Sequence, residues 1–163
     1  MRILFLFLDG VGIGARNETN PFTRAQLPVL HNLLGGLPFL DAPRVENERA
    51  CVVPLDANLG VAGLPQSGTG QTTLLTGINA AAQLGEHYGP YPDERLLSLL
   101  DHNVFHRLQA MGKRVAFANA YPPIFFQRME RNTDRRSAIA QAVALANVPY
   151  RTYDDLVEGR AVS

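Results

Sequence analysis

Residues 2–8 constrain this chain most: Arg2 is followed by Ile3-Leu4-Phe5-Leu6-Phe7-Leu8, and the run stops at Asp9 and Gly10. A short, uniformly apolar segment of this kind predicts a strand buried on both faces, as in a parallel sheet covered by helices. It is not read as a signal peptide, because it is shorter than an ordinary apolar core of ~7–15 residues and no small-residue cleavage site follows. No other stretch approaches the ~18 apolar residues that a membrane span needs, so the expected location is cytoplasmic. The glycines of Gly10-Val11-Gly12-Ile13-Gly14 then predict a loop that turns sharply or approaches another group closely.

Beyond that loop, strand-like and helix-like patterns alternate. Leu27–Leu34 reads as a short helix stopped by Gly35-Gly36, and Ala50–Leu55 as a second strand. Gly68–Gly77 reads as a helix opening just after Ser67. Tyr88–Pro92 is a Gly/Pro-punctuated loop, after which Asp93 is placed to cap one longer helix. That helix carries Leu96, Leu97, Leu100, Val104, Phe105 and Leu108 at helical spacing and ends near Gly112. Lys113–Ala118 is expected as a third strand, Ala138–Ala146 as a helix capped by Ser137, and Pro149–Thr152 as the start of a last strand. Alternation of this kind argues for a single α/β domain over residues 1–163 with a mostly parallel sheet. The polar tail from Asp154 to Ser163 shows no evident closing element and suggests a chain cut from something longer.

Composition excludes some functions. Lys plus Arg and Asp plus Glu are 15 each, which gives no basic footprint for nucleic acid. The one cysteine, Cys51, rules out an internal disulfide framework and a Cys-rich zinc site, and its apolar neighbours predict a buried, inert thiol. Arg128, Arg131, Arg135 and Arg136 form a basic cluster interrupted by Glu130 and Asp134, read first as a solvated face and second as a phosphate clamp.

Two places carry chemistry. Asp9 ends the first predicted strand, where loops of an open α/β sheet gather ligands, and its carboxylate suits a divalent cation; the plainer use is to close the glycine turn. The second place is Gly63-Leu64-Pro65-Gln66-Ser67-Gly68-Thr69-Gly70-Gln71-Thr72-Thr73-Leu74-Leu75-Thr76-Gly77. Backbone N–H groups and the positive end of a helix opening at Ser67 favour an anionic oxygen, and Gly68 and Gly70 would let a phosphoryl group come close. A metal would both activate the Ser67 hydroxyl and neutralise a transferring phosphoryl group; the plainer use of Ser67 is as a helix cap. Gln71 stands where a Walker loop has Lys, and the glycine spacing 10, 12, 14 lacks the G-x-G-x-x-G of dinucleotide sites.

Leu8-Asp9-Gly10-Val11-Gly12-Ile13-Gly14, Asn20-Pro21, and Pro65-Gln66-Ser67-Gly68-Thr69-Gly70-Gln71 with Leu75-Thr76-Gly77 together resemble the alkaline phosphatase superfamily. The likeness is to cofactor-independent phosphoglycerate mutases, phosphopentomutases and the metalloenzyme-domain proteins around them. It implies a three-layer α/β core, with Asp9 as a ligand of a divalent metal and Ser67 as both nucleophile and metal ligand. It also implies two divalent ions (Mn²⁺ or Zn²⁺, with Mg²⁺ as a further candidate) and a small phosphorylated substrate; Gly68, Gln71 and, from its place in the Gly/Pro loop, His87 are the residues expected to meet that substrate. Phosphoglycerate mutases have a histidine where Gln71 stands, which points away from phosphoglycerate.

The family completes its two-metal site with Asp and His residues from its C-terminal half. Here the histidines are His31, His87, His102 and His106, with none later. Two ions ~3.5–4 Å apart need more ligands than one Asp and one Ser. The resemblance therefore implies an N-terminal, nucleophile-bearing part, inactive alone, whose sheet seeks a missing C-terminal half or another copy. His102 and His106, four apart on the predicted helix, share a face and are expected at its surface; His31 is expected to be structural. Two rival readings stand beside this one: an inert module binding a phosphorylated ligand, and a nucleotide-binding α/β domain using Gly10–Gly14.

Overall fold

The computed structural model describes residues 2–131 and 135–163; Asp134 of the arginine cluster lies outside them. The chain is mixed α/β and divides into two compact units, one running to Leu55 and the other Asp56–Ser163. Among the described residues, no helix is long and apolar enough to cross a membrane.

In the first unit, residues 2–8 form no strand, against expectation. Ile3 is 77% and Leu4 88% exposed, and Phe5, Leu6 and Leu8 are also open. A strand is defined by its partners, and the ladder this unit builds lies elsewhere. It is an antiparallel pair, β1 (Val45–Glu46) with β2 (Cys51–Val52), in the register Val45↔Val52 and Glu46↔Cys51. The predicted strand at Ala50–Leu55 is thus present but shortened to two residues, and Cys51 is exposed rather than buried.

Helix α1 (Pro28–Leu34) begins with proline, whose missing N–H suits a first turn, and ends at Gly35 with φ 75°. Its last carbonyls are taken up by the hairpin: Asn47 Nδ2 donates to the Leu33 oxygen at 3.2 Å, and Arg49 to the Asn32 oxygen. Phe39 is buried beneath the Arg16 guanidinium, 4.1 Å from the ring centroid, and Arg16 also pairs with Asp41 at 3.2 Å. The glycine loop does turn sharply, with φ 71° at Gly10. At Gly14 a Cβ would lie 2.9 Å from the Asn20 amide, which itself donates to the Ala15 carbonyl at 2.8 Å.

The second unit is helical at its centre. Helices α2 (Ser67–Thr76), α4 (Glu94–Leu100) and α7 (Ala138–Leu145) pack on one another, with α3 (Ala80–Leu84) against α2. Leu75, Leu100, Ala138 and Ala142 form one buried cluster. Alanines at 138 and 142 let α7 sit close to its neighbours. Asp93 caps α4 through the Leu96 N–H at 3.2 Å, and Ser137 caps α7 through the Ala140 N–H at 3.4 Å, both as predicted.

The long helix predicted after Asp93 is in fact two, α4 and α5 (Val104–Ala110). Asn103 breaks it. Its fully buried side chain accepts from the Phe105 and His106 N–H groups and donates to the carbonyls of Leu100 (2.8 Å) and Ala142 (3.2 Å). A short amide satisfied on all sides outcompetes continuation of the helix.

The predicted strand at Lys113–Ala118 is displaced to β3 (Ala120–Tyr121), which pairs parallel with β4 (Arg151–Thr152). Asn119 bridges in parallel to Val162, and the Val162 N–H donates to Ala118 at 2.9 Å. After β3 comes α6 (Pro123–Glu130), and β4 leads into α8 (Tyr153–Val157), opened by a reciprocal cap between Thr152 and Asp155. Phe117, Val143, Ala146 and Val148 form the second buried cluster, which Tyr121 and Tyr150 flank. Tyr121 stacks on Phe125 with centroids 4.0 Å apart, and Tyr150 meets both rings edge-on.

Candidate functional site

The second motif lies entirely within the second unit and builds a helix start under a strap. Gln66, with extended φ and ψ, occupies the N-cap position of α2 without a side-chain capping bond, so Ser67 is the first helical residue rather than the cap. Ser67 is half-buried. The Gly70 N–H closes the first turn on the Gln66 carbonyl at 2.9 Å, and the Thr69 N–H leaves the helix to donate to the Tyr88 carbonyl at 2.9 Å. The Thr69 hydroxyl lies 3.3 Å from the Tyr88 N–H, which donates to it. Tyr88 is thus held from both sides of its peptide by one fully buried threonine.

This clamp draws Tyr88-Gly89 across the helix start. A Cβ on Gly68 would meet the Tyr88 carbonyl oxygen at 2.5 Å, and one on Gly89 would meet the Gly68 nitrogen at 3.0 Å. The space beside Gly68, expected to admit a phosphoryl group, is filled by the strap. Gly70 has nothing within 4 Å of such a Cβ. The strap is braced from outside by Arg95, which donates to Glu86 at 3.1 Å and to Asp93 at 2.8 Å and lies over the Tyr88 ring at 5.2 Å. Burial pushes the Asp93 carboxyl up, but hydrogen bonds from Arg95 and from the Leu96 N–H outweigh it and hold the group below its usual range.

Between the strap and the segment before Ser67 opens a groove of about 440 Å³, lined by Gly63, Leu64, Gln66, Glu86, His87 and Tyr88. His87 Nε2 lies 3.1 Å from the Val61 carbonyl oxygen. A carbonyl only accepts, so Nε2 carries the proton, and in the neutral ring Nδ1 is the acceptor.

The other predicted site residues are placed differently. Gln71 is 8% exposed, and its Oε1 accepts from the Ile139 N–H at 3.3 Å, tying α2 to the first turn of α7. Its carboxamide serves the fold. Asp9 is exposed at the turn into Gly10 and belongs to the first unit, whereas Ser67 belongs to the second. His31 is exposed on α1, and His102 lies exposed between α4 and α5, so no helical His102–His106 pair forms. His106 is a strut instead: its ring nitrogens lie 2.7 Å from the Asp101 oxygen and 2.9 Å from the Leu145 oxygen.

Among the described residues, no three of His, Cys, Asp and Glu gather as a metal would need. Asp9 and Ser67 are the two metal ligands that the resemblance implies, fewer than a two-ion site needs. Thr69, the residue that organises the strap, was not singled out by sequence; its only local signal is a small hydroxyl two positions into a helix.

Set beside known proteins, the chain matches no family model, no curated protein and no solved structure.

Proposed function

We propose that Ser67 is the nucleophile of a phosphoryl-transfer enzyme acting in the cytoplasm on a small phosphate monoester, with a fold of the alkaline-phosphatase-like three-layer class. The observation that supports this reading is the position of Ser67: the first residue of a ten-residue helix, half-buried, and next in the chain to Gln66, which lines the 440 Å³ groove. Its support from sequence is the pair of motifs around Asp9 and Ser67.

The reaction is an in-line displacement. Ser67 Oγ forms a bond to phosphorus as the bond to the ester oxygen breaks, the serine proton passes to the leaving alcohol, and a phosphoserine remains. Water or a second hydroxyl then takes the phosphoryl group and restores the serine. Two divalent ions would supply charge neutralisation, and Asp9 and Ser67 are each proposed as a metal ligand.

His87 lines the groove, with its ring orientation set by Val61, and is proposed to contact substrate. Gly68 and Gln71 act by holding the strap and α7 in place around it, rather than by touching substrate.

The test is phosphomonoesterase activity of the full-length gene product with Mn²⁺ or Zn²⁺, followed by mass spectrometry of the Ser67 peptide. Phosphate on Ser67, lost together with turnover in Ser67→Ala, is the expected result. Asp9→Ala should lose activity and weaken metal binding. Full turnover in Ser67→Ala removes the serine from the mechanism.

A further inference from the structure

A second cavity, of about 420 Å³, lies within the same unit; it shares Tyr88 and Gly89 with the first groove and is lined further by Pro90, Tyr91, Arg135, Arg136 and Gln141 among others. We infer that it is a non-covalent binding site for a small phosphate monoester, separate from any reaction at Ser67.

The chemistry of the lining carries the argument. The chain as a whole is neutral, yet this cavity is lined by two arginines and, among the described residues, by no carboxylate-bearing one. Arg135 is exposed and makes no ion pair among the described residues. Arg136 is half-buried and anchored, its Nη1 donating to the Tyr150 hydroxyl at 3.5 Å while that hydroxyl donates to the Ala140 carbonyl at 2.7 Å. The Gln141 carboxamide, in the second turn of α7, makes no hydrogen bond among the described residues. Both arginines immediately precede the Ser137 cap, so the positive end of α7 adds to the same field.

Two adjacent guanidiniums with a neutral amide suit a dianion, which a phosphate monoester approaches at neutral pH. The same lining holds Tyr88, Pro90 and Tyr91 as apolar surface for the organic group, and the volume falls in the range of ordinary small-ligand sites of ~300–1,000 Å³. The basic cluster, read from sequence first as a solvated face, is thereby divided: Arg128 and Arg131 are exposed, while Arg135 and Arg136 line a cavity.

Isothermal titration of the full chain with phenyl phosphate and with inorganic phosphate tests this. The expected result is tighter binding of phenyl phosphate, weakened about tenfold by Arg135→Gln through loss of one charge-assisted contact, partly restored in Arg135→Lys, and unchanged in Ser67→Ala. Arg135 is exposed, so its variants keep the fold. Equal affinity in Arg135→Gln, loss of binding in Ser67→Ala, or no binding of either probe would overturn the site. Failure of phosphoryl transfer at Ser67 would leave it standing.

Discussion

Replacing Gly68 by alanine probes the strap directly. The added methyl would sit 2.5 Å from the Tyr88 carbonyl oxygen, 3.2 Å from the Gly89 Cα and 3.3 Å from a Leu96 methyl. Two of the three obstacles are backbone, so relief requires the strap to move off the helix. Overpacking of this kind costs ~1–3 kcal/mol, and losing the Thr69 N–H bond to Tyr88 adds about 1 kcal/mol. Better helix propensity returns at most ~1 kcal/mol. The net is a destabilisation of about 2 kcal/mol, or a fall in Tm of about 4–8 °C for a chain of this length.

Gly70→Ala is the matched control, because its methyl meets nothing within 4 Å and the residue is helical; it should stabilise by ~0.5–1 kcal/mol. Thermal unfolding followed by circular dichroism reads both. If Gly68→Ala melts at or above the parent temperature, Tyr88 does not lie on the helix start, and the groove that His87 lines loses a wall.

Thr72 is fully buried in α2, and among the described residues its hydroxyl has no hydrogen-bond partner. Thr72→Val should therefore be neutral or stabilising by up to ~1 kcal/mol in urea titrations, and a clear loss would mean the hydroxyl is bonded. Asn103→Ala removes the cap of α5 and one of two donors to the Ala142 carbonyl, which keeps the Ala146 N–H at 3.1 Å, so it should cost about 2 kcal/mol; a change under ~0.5 kcal/mol would refute that network. Burial, with Tyr150 second, pushes the Tyr121 hydroxyl up to about 12. The unfolded group ionises near pH ~10, so the folded state keeps its full stability below that pH and loses it as pH climbs toward about 12. Tyr121→Phe should flatten this alkaline loss in urea midpoints, and an unchanged slope would assign the loss to other groups.

What could be read from the sequence was what local chemistry decides. Asp93 and Ser137 cap helices because a short side-chain acceptor beside a free N–H needs no distant partner, and Gly35 and Gly77 end helices because only glycine takes that φ easily. The helix opening at Ser67 was legible to within one residue. The strands were not. Ile3–Leu8 has strand composition, but a ladder depends on a neighbour that composition does not name, and β3 fell two residues beyond the predicted segment for the same reason. Gln71 and His106 looked available because their partners, Ile139 and Leu145, lie far along the chain. The strap was invisible for the same cause, since Thr69 and Tyr88 are nineteen residues apart.

The division into two units has an optical consequence. The chain has no tryptophan, and all five tyrosines, at positions 88, 91, 121, 150 and 153, belong to the second unit. Tyrosine emission and near-ultraviolet dichroism at tyrosine wavelengths are therefore blind to the first unit. Far-ultraviolet dichroism, which sees every helix, reports on both. Differences between the two signals during unfolding would show whether α1 and its hairpin melt apart from the helices around Ser67, with no engineered label.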